Sequence, residues 1–223
     1  MTLSIAARCP QTRMLGMAIA SSSPAVAARC AHARAGVGVV ATQNITDPSL
    51  GPQILDRLTR GADATQALRD ALGTTPFASY RQLLVVAPEG APALHSGDKA
   101  LGTVATALGA DCAAAGNLLD NDGVPAAMIA AFEASTGHFA YRLLRALRAG
   151  AAHGGEAGPI HSAALLVVRE VSWPIIDLRI DWHEEPVHAL GTLWNLYEPQ
   201  VEDYVRRALD PAAAPTFGVP GDL

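Results

Sequence analysis

The sequence predicts an α+β fold of two stacked, mainly antiparallel sheets with pairs of helices on the outside. Three observations carry this prediction. Short apolar runs of β character come in groups, pairs of helix-period segments fall between the groups, and single strands and single helices do not alternate strictly along the chain. The 223 residues are half apolar and 17% charged, which suits one domain with a sizeable core and argues against disorder. No composition shift divides the chain, so residues 1–210 read as one domain and 211–223 as a poorly ordered tail.

Residues 3–8 and 15–20 read as strands joined by a turn at 10–13, and residues 36–42 (GVGVVAT) as a third β run after an alanine-rich connection. Segments 48–58 and 64–72 have helical spacing, with Gly61 and Gly73 as stops. A hairpin over 80–87 and 91–95 turns at Pro88-Glu89-Gly90. Residues 103–116 suit either element by composition and are assigned to one strand ending in a loop at Gly116-Asn117. A second helix pair occupies 123–133 and 139–149, with Gly137 and Gly150 as stops. Strands follow at 162–169 and 175–183, then a helix from 185 towards 209 that is interrupted before Pro199.

The formal charge of −5 and the absence of an arginine run give no electrostatic case for nucleic acid or an anionic membrane. Residues 14–28 imitate a secretory signal, but Gly16 and Ser21-Ser22-Ser23 interrupt the apolar part, and no stretch is long enough to span a bilayer. Cys9, Cys30 and Cys112 have neither pairing number nor metal spacing, so they read as buried thiols in a reducing, cytoplasmic compartment. Symmetric dimers are the commonest oligomers, which makes a homodimer the expectation. No cofactor motif is present, and His153 to Ser162 (HGGEAGPIHS) lacks the lysine and spacing of a phosphate loop.

Two features carry chemistry. In the segment IDLRIDWH, period-two alternation puts Asp177, Arg179, Asp181 and His183 on one side of a strand and Ile176, Leu178, Ile180 and Trp182 in a core. Arg179 then offers a fork for a polar or anionic small molecule, held by the aspartates, with His183 as base. A solvated or dimer-facing strand explains the same charges. A metal on Asp181 and His183 needs a third ligand that the sequence does not identify.

The second feature is Thr2. Loss of Met1 exposes a residue bearing both a hydroxyl nucleophile and, in its α-amine, a base suited to neutral pH. The following strand would hold this terminus rigidly at a sheet edge. Ser4 lies on the same strand side and is the competing nucleophile; ordinary strand hydroxyls are the plain alternative for both. Ser21 and Gln43 end strands and are candidate substrate contacts, as is Glu156 in the glycine-rich bend, beside His161. Asn117 is a candidate oxyanion donor or a turn cap.

Across nearly the whole chain to about Leu196 these residues resemble the bacterial family of unknown function DUF1028. The resemblance rests on TLSIAAR (2–8), LGMAIAS (15–21), ARAGVGVVATQ (33–43), Gly116-Asn117, Gly154-Gly155-Glu156, SAALLV (162–167) and DLRIDWH (177–183). That family looks like the N-terminal nucleophile hydrolases, which implies a four-layer α–β–β–α sandwich. It also implies attack by the processed amino-terminal residue, Thr2, on a small-molecule amide or other non-peptide C–N bond. Glu156 stands where an aspartate is common, and no lysine lies near the end of the second strand, whereas the proteasome-like branch uses one to tune its nucleophile. An Asp181/His183-assisted hydrolase, with or without a metal, and a non-catalytic anion-binding homo-oligomer are the alternatives.

Overall fold

The computed structural model describes residues 1–216 and 218, so most of the tail expected after 211 lies outside the described residues. The fold is mixed α+β. Strands β1 (Thr2–Cys9), β2 (Met14–Ser21), β7 (Thr103–Leu108), β8 (Cys112–Leu119), β9 (Ser162–Val168) and β10 (Ile176–Ile180) form one sheet in the order β10-β9-β2-β1-β8-β7. Strands β3 (Ala31–Arg34), β4 (Gly38–Asn44), β5 (Arg81–Val86) and β6 (Ala93–Ser96) form a second sheet in sequence order. Every neighbouring pair is antiparallel.

Alternating side chains explain how these strands form three apolar cores. Ala6, Met17, Ile19, Ala113, Ala115, Ala164 and Leu166 of the six-stranded sheet meet Val39, Ala41, Leu84 and Val86 of the other sheet. The opposite residues of the six-stranded sheet, among them Leu3, Ile5, Ala114, Leu165 and Val167, meet the helices α4 (Val124–Ala134), α5 (Phe139–Ala152), α6 (Pro186–Tyr197) and α7 (Val201–Leu209). On the four-stranded sheet, Val40, Leu83 and Val85 meet α2 (Leu50–Thr59) and α3 (Ala64–Leu72). The central strands are buried on both faces, so they read as apolar runs and not as a polar/apolar alternation.

Several expectations are corrected. The alanine-rich connection contains a short helix, α1 (Ala27–Cys30), and the edge strand β3. Residues 103–116 are not one strand: a turn around Gly109 makes the hairpin β7–β8, and Gly116 and Asn117 lie inside β8, not in a loop. Gly150 is no helix stop but an interior residue of α5, where a Cβ would sit 2.6 Å from the Met128 side chain and 3.0 Å from that of Leu3. Strand β10 ends at Ile180, so Asp181 and His183 lie beyond it. Trp182 enters no core; it is 57% exposed and stacks on His161 at 4.2 Å between centroids. The final helix does break before Pro199, where residues 198–200 make a 3-10 turn between α6 and α7.

Candidate active site

β1 is an interior strand flanked by β2 and β8, not the sheet edge expected from the sequence. The reason is β8, which returns through the hairpin to cover its second side. Thr2 opens β1, opposite Asn117, and is only 6% exposed. Because Thr2 shares a strand side with Ser4 and Ala6, its hydroxyl points between the sheets, as do those of Ser21 and Ser162 one and two strands away. The Thr2 and Ser21 hydroxyl oxygens lie 3.4 Å apart, and each donates to the Met1 carbonyl at 2.5 Å. Ser21 Oγ is 3.0 Å from Ser23 Oγ, which accepts a hydrogen bond from Arg29 at 3.1 Å. Arg29's other acceptors are the Pro24 and Ala25 carbonyls, so among the described residues this cation ends the row of hydroxyls without an ion pair to a carboxylate.

A second network ties the sheets together behind Thr2. Ser4 Oγ donates to Gln43 Oε1 at 2.7 Å, and Gln43 Nε2 donates to Gln82 Oε1 at 2.7 Å and to the Ala115 carbonyl at 3.3 Å. Gln82 Oε1 also accepts from Asn117 Nδ2 at 3.0 Å, while Gln82 Nε2 donates to Ser96 Oγ and to the Gly116 carbonyl. Ser4 has no exposure and its hydroxyl is held by Gln43. Asn117's side-chain amide is likewise committed, leaving its Oδ1 buried without a partner.

Glu156 reaches this place through a backbone irregularity. The β7–β8 register slips between Thr103 and Ala105, and Leu118 has φ of 50°, so β8 bends just after Asn117. The bend docks the glycine-rich segment: Ala157 N–H donates to the Leu118 carbonyl, Asp120 N–H donates to the Gly155 carbonyl, and Glu156 bridges to Leu119. Gly154 and Gly155 have φ of 118° and 61°, which side chains at these positions would resist. Glu156 is 5% exposed. Its Oε2 accepts the Ser22 N–H at 2.9 Å and its Oε1 is unpartnered. Burial pushes its carboxyl up to about 7, against the lowering effects of the amino-terminal charge and the Ser22 hydrogen bonds.

Thr2, Ser4, Ser21, Gln43, Asn117 and Glu156 are therefore brought together, whereas the Asp177–His183 segment reaches their neighbours through its backbone, where the Asp181 carbonyl accepts the Ala25 N–H and His183 N–H donates to the His161 carbonyl. Arg179 is bidentate with Asp177 at 2.7 and 2.8 Å on the outer strand. It shares a row with Ala164, Ile19 and Ser4, three strand spacings or about 14 Å from Ser4. Its local cleft, about 330 Å³, is lined among others by His32, Arg34 and Pro52 and by no serine, threonine or cysteine among the described residues. Asp181 and His183 are exposed, and among the described residues no group of three His, Cys, Asp or Glu is placed to hold a metal ion. Burial pushes the Cys30 thiol up and that of Cys112 up to about 12, so neither is a ready thiolate. A cleft of about 510 Å³ lies around Gly36, Leu58 and Pro88, towards the far end of the strands, and carries the acids Asp63 and Glu89.

Sequence reasoning missed Gln82 and Arg29. Gln82 carried a usable signal: it is a lone amide in the apolar strand RQLLVV, in phase with Leu84 and Val86, which face the other sheet. Arg29 carried none, since its helix was itself unrecognised.

Residues 2–190 match DUF1028, a family of unknown function. The crystal structure of protein SPO2555 from Silicibacter pomeroyi, of that family, superposes with a TM-score of 0.85 at 30% identity, over 92% of this chain and 90% of that one. A weak likeness links the chain to Anbu (ancestral beta-subunit) from Yersinia bercovieri, with TM-score 0.37 and 12% identity over 92% and 97% of the two chains. Anbu from Hyphomicrobium sp. strain MC1 gives 0.41 and 11% over 97% and 100%. No curated protein matches the sequence. Among the described residues no helix is long and apolar enough to cross a membrane.

Proposed function

The chain belongs to the DUF1028 family, and from that premise we propose that it is an N-terminal nucleophile hydrolase of small-molecule amides, with Thr2 as nucleophile. The arrangement of the three apolar cores, with helices outside two stacked sheets, supports reading the fold as the four-layer sandwich of such enzymes. The observation that carries the reading is the row of adjacent hydroxyls Thr2, Ser21 and Ser23, the last accepting from Arg29, at the one strand terminus where a free amine would appear. Ser4, the competing hydroxyl, is sealed from solvent and held by Gln43.

With Met1 removed, the Thr2 α-amine takes the hydroxyl proton while Oγ attacks the amide carbonyl. The C–N bond then breaks, the proton passes to the leaving amine, and an ester on Thr2 Oγ remains. Water hydrolyses that ester, which restores the hydroxyl and releases the acid. Ser21 is placed to donate to the oxyanion, since its hydroxyl already donates to the carbonyl oxygen of Met1. Arg29 supplies the positive charge that a lysine supplies elsewhere. The test is the intact mass of untagged protein followed by amide hydrolysis by Thr2→Ala. Loss of Met1, and a drop of at least about a thousandfold in the variant, are expected. Retention of Met1 throughout would sink the mechanism.

A further inference from the structure

Met1 sits where the acyl half of a substrate of Thr2 has to lie. Its carbonyl oxygen accepts hydrogen bonds from both Thr2 Oγ and Ser21 Oγ. Its thioether rests on the glycine-rich segment: a Cβ built on Gly158 would lie 3.0 Å from Met1 Cε and 3.5 Å from Sδ. Its amino end makes no ion pair with Glu156 among the described residues but lies within that carboxyl's electrostatic reach, and the Glu156 Oε1 is buried without a partner. Two parts of an α-aminoacyl group are thus matched, the carbonyl by the Ser21 hydroxyl and the side chain by a surface without Cβ, while the amino end lies near the buried Glu156 carboxyl.

We infer that the acyl site takes an α-aminoacyl amide with a free ammonium and an unbranched apolar side chain, Met1 filling that same space before its removal. The inference rests on the Thr2 reading and narrows its substrate class. It departs from the anionic substrate that Arg179 suggested, because Arg179 is three strands away and already paired with Asp177. Glu156 and Gly158 also line an open cleft of about 380 Å³, together with Glu184, Glu185, Val187 and His188. It offers carboxylates and apolar surface but no lysine or arginine, which suits a cationic group better than an anionic one.

The step is the one given above with the carbonyl specified. Thr2 Oγ forms an aminoacyl ester as the C–N bond breaks, the leaving amine departs with the proton, and water then releases the amino acid. The experiment compares L-methionine p-nitroanilide, its N-acetyl derivative and L-alanine p-nitroanilide on protein lacking Met1. The free-amine methionyl compound is expected to exceed the acetylated one by about 10- to 100-fold in kcat/KM, the value of a hydrogen bond to a charged group. Glu156→Gln is expected to bring the two together, and Gly158→Ala to shift preference from the methionyl to the alanyl compound. Equal or faster cleavage of the acetylated compound overturns the inference. So does Thr2-dependent hydrolysis of other amides with none of the methionyl compound, a result that leaves the Thr2 mechanism standing. Cleavage that survives Thr2→Ala strikes that mechanism itself. Calorimetric binding of L-methioninamide to Thr2→Ala protein is a readout without turnover; binding is expected, and its absence overturns the assignment of the acyl site.

Discussion

Glu156→Gln should change how stability depends on pH more than it changes stability at any single pH. The carboxyl titrates at about 7 in the folded chain against an ordinary value of 4.5, and burial is the largest cause. A raised carboxyl means that, between these values, the folded state holds a proton the unfolded state has lost. Stability therefore falls as pH rises through that window and is level above it. The span from 4.5 to about 7, at about 1.4 kcal/mol per pH unit, amounts to about 3 kcal/mol. Glutamine removes this dependence. It also buries an amide N–H group where Oε1 now has no partner, a cost of about 1–3 kcal/mol at every pH. The variant should thus be the less stable protein at pH 4.5 and draw level with or pass the wild type by pH 8. Urea unfolding of both proteins at half-unit intervals from pH 4.5 to 8.5 measures the difference. Curves that stay parallel across the window, within about 0.5 kcal/mol, would refute the claim that burial raises the Glu156 carboxyl.

Three other perturbations test separate parts of the structure. Gln82→Leu removes the common partner of Gln43, Asn117, Ser96 and the Gly116 carbonyl, and is expected to cost about 3 kcal/mol or more in chemical denaturation, because several buried polar groups lose partners together. Arg29→Gln keeps donors for Ser23 but removes the charge; hydrolysis is expected to slow about tenfold and its pH profile to move upward, while Arg29→Lys largely preserves both, read from kcat against pH. Trp194→Ala empties a fully buried site under α6 and should lower stability by about 3–5 kcal/mol in a thermal or urea melt.

The elements that sequence reasoning placed well are those whose local chemistry and tertiary role agree. Helices α2 and α3 have polar faces outward and apolar faces on β4 and β5, and Asp63 caps α3 by accepting the Gln66 N–H, so spacing alone located them within a few residues. The 103–116 segment failed because its alanines and glycines carry little preference. At its turn Gly109 leaves no room for a side chain, since a Cβ would fall 2.6 Å from Glu133 and 2.7 Å from Cys112, a constraint set by tertiary contacts and not by local preference. The IDLRIDWH segment misled for a different reason. Alternation assigns sides of a strand but not whether the strand continues, nor whether its neighbour on that face is solvent, and at the outer strand β10 the polar side is the open one.

The candidate site divides along the same line. Thr2, Ser21 and Glu156 were legible as residue types near strand ends, yet what joins them is long-range: register across β8, β1 and β2 and the bend at Leu118. Placing Thr2 inside the sheet matters to the chemistry proposed for it. An edge terminus frays, whereas a residue paired on both sides is held to the geometry that attack requires. The Gln43–Gln82–Asn117 network has the complementary role. It joins the sheets behind Thr2 with hydrogen-bonded amides in place of apolar packing, all of them satisfied but the Asn117 Oδ1.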